Sequence, residues 1–244
     1  MIDHLSYSQI DLFLKCPRKY YFQYVLHPDR REDSWAFALG RAYHLACEAF
    51  YRHQTYDSGI EDFMTEIKDW RLNQSKKFEA EQMLNNLKFY YNNIYPRYGN
   101  LVKEVEYKPE GLDKFYIEGI DVPIEMRIDL LTVDDKIIDH KTVGQSEPTS
   151  AYNKQLLLYA YWFYKKTGKL PRAVELHKSF KNPKGDPVVV ESQSVNLPDV
   201  IKVVEQTVTV YNQIKQAMFN PSISKLCNYC SYKVECDNMS IRKS

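Results

Sequence analysis

Two short apolar runs, each interrupted by charge, constrain the fold of this chain most: Ile124 to Leu130, and Ile137-Ile138-Asp139-His140-Lys141 just after it. Read as strands joined at Asp134-Asp135-Lys136, the first run puts Ile124, Met126, Ile128 and Leu130 on one face and Glu125, Arg127 and Asp129 on the other. On the second strand, Asp139 and Lys141 point to one side, near Asp129 if the strands pair as a hairpin. Charges in a strand interior are costly when buried without partners. A divalent ion held by the two carboxylates, with the ammonium facing a phosphate, accounts for them. A surface ion pair between Asp139 and Lys141 on a solvated face accounts for them equally well.

The rest of the chain reads as alternating helices and strands. Ser6 and Gln9 have capping-box spacing, so a helix starts there and ends or bends at Pro17. Beyond it, Arg18, Lys19, Tyr20, Tyr21 and Tyr24 interleave charge with rings, a pattern that suits single-stranded DNA and also suits packed rings with solvated bases. Helices are expected over residues 35–54, which carry His44, and over the polar stretch 60–95, where a DNA-facing arch is one option. Strands are expected over 101–108, 115–118, 173–180 and 188–195, with Lys178, Lys181 and Lys184 as a basic edge of the last hairpin. Glu106 reads as a solvent-exposed strand carboxylate in preference to the other option, a further acidic member of the site. A helix over 151–167 places Gln155 and Tyr159 on one face, and a final helix covers 198–219.

With 244 residues and 44% hydrophobic content, the chain can bury one substantial core, and a single domain is the default. The formal net charge of +1 rules out a global basic field, so DNA contact must come from local patches. No N-terminal apolar run and no stretch of about 20 apolar residues is present, so a cytoplasmic, non-membrane protein is expected. Disulfides are unexpected in that setting. Cys227-x2-Cys230-x5-Cys236, with Cys16 as a distant fourth, is a metal-type cluster, and spacing alone does not separate zinc from a four-iron cluster.

Asp129 followed by Asp139-His140-Lys141 resembles the signature of the PD-(D/E)XK nuclease superfamily. Gln155 to Tyr159 is similar to the QxxxY motif of its RecB-like branch, and Gly40 to His44 to that branch's GxxxH element. Cys16-Pro17 with the C-terminal cysteines resembles the iron-sulfur staple of AddB and of CRISPR-associated RecB-family exonucleases. The resemblance implies an α/β fold with a restriction-endonuclease-like core, a mixed central sheet flanked by helices. One domain would span 1–244, with a four-cysteine iron-sulfur lobe from 1–34 and 220–244 and a nuclease core over 35–219 that includes a helical insertion, 60–96. The implied catalytic set is Asp129, Asp139, Lys141, Gln155 and Tyr159. Manganese or magnesium would sit on His44, Asp129, Asp139 and the main-chain carbonyl of His140. A [4Fe-4S] cluster would sit on Cys16, Cys227, Cys230 and Cys236, with structural zinc as the alternative. Arg18, Lys19, Tyr20 and Tyr159 are the candidate DNA contacts.

The activity so implied is metal-dependent exonucleolytic hydrolysis of DNA from single-stranded ends, in repair or CRISPR adaptation. The alternative is an end-binding assembly subunit of a CRISPR or recombination complex with weak or no cleavage. No helicase motif is present, so any strand-separating motor is a separate partner. One departure stands out: many relatives carry a glycine shortly before the first aspartate, whereas Glu125, Met126 and Arg127 precede Asp129 here. Glu125 and Arg127 are expected to pair with each other or to alter substrate access.

Overall fold

The computed structural model describes residues 2–29, 34–144 and 150–241. In chain order the elements are β1 (Leu5–Ser6), α1 (Tyr7–Lys15), α2 (Pro17–Tyr20), a π-helical turn (Tyr21–Leu26), α3 (Trp35–His53), α4 (Tyr56–Ile67), α5 (Gln74–Asn93), α6 (Tyr95–Tyr98) and β2 (Val102–Tyr107). They continue with β3 (Ile124–Glu125), β4 (Ile128–Thr132), β5 (Lys136–Val143), α7 (Ser150–Thr167), β6 (Ala173–Phe180), β7 (Val188–Gln193), α8 (Leu197–Lys215) and α9 (Lys233–Ile241). The chain divides into two compact units, one of Asp33–Lys108 with Arg127–Ile201, the other of Met1–Glu32, Pro109–Met126 and Lys202–Ser244.

The first unit holds a mixed five-stranded sheet in the order β2-β4-β5-β6-β7. β4 and β5 form the expected antiparallel hairpin, with Leu130 opposite Ile138, so Asp129 comes opposite Asp139. Its turn is built locally: Asp135 takes φ +63°, and the Thr132 hydroxyl accepts the Lys136 N–H at 2.9 Å while donating to Asp134 at 2.6 Å. β5 then runs parallel to β6, from Lys136 beside Ala173 to Val143 beside Phe180, and α7 makes the crossover that a parallel pair requires. β6 is interior, and Lys178 on it is buried and ion-paired with Glu191 of β7. Lys178 therefore does not contribute to the expected basic edge.

The polar stretch expected as a possible arch is instead part of the core. Ala80, Met83, Leu87 and Tyr90 of α5 pack with Leu39, Tyr43, Ala46 and Phe50 of α3 and with Leu130 and Ile138 of the sheet. Lys76 lies over the rings of Trp70 and Trp35, 5.0 and 5.7 Å from their centroids. α3 and α4 approach closely at Gly59, where an added Cβ would lie 2.2 Å from Phe50 Cε1 and 2.8 Å from the Ala46 carbonyl oxygen. Neither the backbone nor a fully buried ring yields cheaply, so Gly59→Ala is expected to cost about 1–3 kcal/mol. An unchanged urea midpoint would contradict that packing.

In the second unit β1 pairs in parallel with β3, Leu5 beside Ile124. Ser6 caps α1 as its spacing predicts, accepting the Gln9 N–H at 3.4 Å. Cys16, extended at φ −160°, breaks the helix before Pro17 restarts it as α2. Two expectations are corrected here. Residues 115–118 are not a strand: Phe115 and Ile117 are buried in a turn-rich segment, and the Phe115 carbonyl accepts the Ile124 N–H at 2.8 Å. Arg18 and Tyr20 are packing residues. Arg18 is buried and donates to the Phe219 carbonyl at 2.7 Å, and Tyr20, fully buried, sits edge-on to Phe13 and stacks on Phe219. Of the three N-terminal DNA candidates, Lys19 alone is left half-exposed.

Candidate active site

The β4–β5 hairpin, α3, β2 and α7 together supply the expected polar residues. Asp129 and Asp139 are opposed across the hairpin and both are buried, 5% and 2% exposed, which selects the burial reading over the solvated ion pair. Their environments differ. Asp129 Oδ2 accepts the His140 backbone N–H at 2.6 Å and faces His44 Nδ1 at 3.3 Å. Burial alone would raise its pKa, but His44 and His140 hold the carboxyl well below the usual carboxylate range. Asp139 Oδ2 faces Lys141 Nζ at 2.9 Å, but burial and the charge of Asp129 outweigh Lys141 and His44 and push its pKa up. Lys141 itself would be lowered by burial, yet Asp139 and Asp129 more than offset this and keep it an ammonium. Burial opposes protonation of His44 too, and Asp129 reverses that, so its pKa is raised.

Glu106, for which the sequence favours an exposed position over site membership, joins the site. It stands on β2 opposite Asp129, between the Val105–Leu130 and Tyr107–Ile128 pairs, and takes φ +54°, a left-handed conformation that costs a non-glycine residue about 1–3 kcal/mol. Strain of this kind is commonest where a side chain must be aimed. Here it aims Glu106 into the site: one ligand atom each from His44, Glu106 and Asp129 lie within 4.8 Å of one another. Asp139 lies outside that tight group among the described residues, though its charge is felt at His44 and it feels the charge of Asp129. Arg127 pairs with Glu106 at 2.5 Å, rather than with Glu125, which faces His4 at 3.4 Å.

The donor set suits a hard or borderline cation. Asp139 Oδ2 and Glu106 Oε2 are buried without an aligned hydrogen-bond donor, although Lys141 and Arg127 are close, and such oxygens are costly to leave unmatched. Burial and the charge of Asp129 push Glu106 to about 7. With a folded pKa above the unfolded 4.5, the contribution of Glu106 to stability is full below about 4.5 and is lost as pH rises through about 7. Glu106→Gln is therefore expected to raise the melting temperature of metal-free protein at pH 8 but hardly at pH 5, by about 2–4 °C per kcal/mol of repulsion removed. An equal shift at both pH values would contradict this.

On α7, Gln155 donates to the Tyr159 hydroxyl at 2.6 Å, so the two residues do share a face. Tyr159 is buried, and its pKa is raised by burial and by the charges of Asp139 and Asp129, which places it at the site's margin rather than on an open surface. The four cysteines all belong to the second unit: Cys16 precedes α2, Cys227 and Cys230 lie in and after a turn at Lys225–Tyr229, and Cys236 is on α9. Burial raises the Cys236 thiol, and Cys16 and Cys230 are close enough to raise it further. Among the described residues no three of these sulfurs lie within 4.8 Å of one another, whereas tetrahedral zinc would need about 3.8 Å between sulfurs. The zinc alternative therefore does not fit the sulfurs as they stand.

This chain belongs to the PD-(D/E)XK nuclease superfamily, whose family model matches residues 4–237. Nucleases of this superfamily use divalent metals, and His44, Glu106 and Asp129 are a group able to hold one. Among solved structures, the chain is similar to a Eubacterium rectale protein assigned only provisionally as an exonuclease: TM-score 0.63 at 12% identity, over 96% of this chain and 88% of that one. It is also similar to the structure of SSO0001, with TM-score 0.48 at 14% identity over 96% and 85% of the two chains. No curated protein matches it. None of the described helices is long and apolar enough to cross a membrane.

Proposed function

We propose that the chain is a cytoplasmic, divalent-metal-dependent deoxyribonuclease that shortens DNA from free ends, preferring single strands. The observation that carries this reading is the convergence of His44, Glu106 and Asp129 beside the buried Asp139–Lys141 pair. His44, Asp129 and Asp139 would hold manganese or magnesium, with Glu106 as a further ligand and the His140 main-chain carbonyl completing the set. A divalent ion bound there would supply a water nucleophile at neutral pH and offset phosphate charge. Lys141, kept cationic by its two aspartates, would face the scissile phosphate and orient the attacking water. Asp139 keeps that ammonium in place. Gln155 and Tyr159 would orient Lys141 or a DNA phosphate, and Lys19 of the other unit would be a DNA contact in its own right.

Cleavage at ends rather than within strands takes its support from the provisional exonuclease assignment of the Eubacterium neighbour. A separate helicase, or CRISPR or recombination proteins, would present the end. A [4Fe-4S] cluster on Cys16, Cys227, Cys230 and Cys236 rests on the spacing of the last three, with Cys16 as a distant fourth; iron, sulfide and zinc analysis of anaerobically purified protein decides it. The activity itself is tested on 5′- and 3′-labelled single-stranded and duplex DNA with manganese, magnesium or chelator. Progressive shortening that chelator stops supports the proposal and gives the polarity. DNA bound but uncut with either metal would overturn it in favour of an end-binding assembly subunit.

A further inference from the structure

Beneath the candidate site a polar chain crosses the core of the sheet-bearing unit. The fully buried Tyr90 hydroxyl lies 2.9 Å from His140 Nε2, 3.0 Å from His177 Nδ1 and 2.9 Å from the Tyr51 hydroxyl. Each imidazole turns its other nitrogen to a carboxylate: His140 Nδ1 is 3.5 Å from Asp129 Oδ2, and His177 Nε2 is 3.6 Å from Glu175 Oε2. Glu175 has donors of its own in Tyr98 at 2.7 Å, Lys136 at 3.0 Å and Ser192 at 3.2 Å. Its side chain is 4% exposed.

The Tyr90 hydroxyl is the junction of this chain. It has one proton to give and two lone pairs, and it stands within hydrogen-bond distance of both imidazoles and of Tyr51. Through His140 it is connected to Asp129, because the same ring that meets Tyr90 at Nε2 faces the Asp129 carboxylate at Nδ1.

We propose that Tyr90 is a positioning residue for the nuclease site: its hydroxyl, 2.9 Å from His140 Nε2, holds the ring whose Nδ1 faces the Asp129 carboxylate. The proposal rests on the nuclease reading for its catalytic consequence but not for its structural one. The structural arm is the imidazole ¹⁵N spectrum of metal-free labelled protein. The His140 Nε2 resonance should move in Tyr90→Phe, which removes its 2.9 Å hydrogen-bond partner, and should stay near its wild-type position in Tyr51→Phe. A His140 Nε2 resonance unchanged in Tyr90→Phe would overturn the proposal even if the protein cut no DNA, an outcome that would count against the nuclease reading alone. The kinetic arm compares Tyr90→Phe with Tyr51→Phe, each of which removes one buried hydroxyl from the same cluster. Tyr90→Phe should lower kcat about ten- to a hundred-fold with KM for DNA unchanged. Tyr51→Phe should stay within about two-fold, as expected for a change outside the positioning chain. Equal losses in the two variants, or none in either, would overturn the positioning role.

Discussion

Asp129→Asn is expected to reduce DNA cleavage by about a thousand-fold or more while leaving the fold intact. The amide is nearly isosteric, and its oxygen can still accept the His140 backbone N–H that Asp129 now accepts at 2.6 Å. What it loses is the full negative charge that burial would suppress and that His44 and His140 preserve. Without that charge the group of His44, Glu106 and Asp129 has one anion fewer to set against a divalent ion, and Lys141 has one aspartate fewer in its field. Hydrolysis of a phosphodiester needs its barrier lowered on the order of 20 kcal/mol, so the loss of a principal charged group is not compensated elsewhere. Initial rates on labelled DNA, with circular dichroism to confirm folding, measure the effect. A reduction below about ten-fold would make Asp129 a structural acceptor rather than part of the chemistry.

The largest stability effect is expected at Phe50. The ring is fully buried on α3, edge-on to Tyr91 with centroids 5.0 Å apart, stacked near Tyr56 at 5.9 Å, and pressed against Gly59 of α4. Phe50→Ala removes the group that α4 packs around and leaves a space the helices cannot close without breaking the α5 contacts. About 3–5 kcal/mol should be lost, a large part of the stability of an ordinary domain. Denaturant unfolding at constant slope reads this directly; a cost under about 1 kcal/mol would mean that α4 collapses onto the vacancy. Because Phe50 lies in the same core as Tyr90, its loss should also loosen the site from below.

The parts of the fold legible in the sequence are those fixed by local pattern. The β4–β5 hairpin follows from two apolar runs around Asp134-Asp135, and the Ser6 cap from one side chain and one N–H three residues on. The spans of α3, α7 and β6 agree with expectation to within a residue or so, because their apolar spacing is regular over two or more turns or several strand positions. The site was legible as far as local elements carry it: His44, Asp129, Asp139 and Lys141 come together, and Gln155 meets Tyr159. What escaped depends on pairings between distant residues. Glu106 is open as a site carboxylate but reads as exposed, because its inward turn depends on the β2–β4 register and a positive φ. Arg18 and Tyr20 look like a DNA-binding pair until Phe219, far along the chain, covers them. The role of Tyr90 is equally hidden, since nothing near it announces His140 and His177 across the core.

Manganese binding, followed by the loss of the free-ion paramagnetic resonance signal on titration into metal-free protein, tests the central claim most directly. Saturable binding in the wild type that is strongly weakened in both His44→Ala and Glu106→Ala, and that falls as pH drops below about 7 where Glu106 takes up a proton, is the result this account predicts. Binding unchanged in both variants would place the metal elsewhere and contradict the assignment of this site.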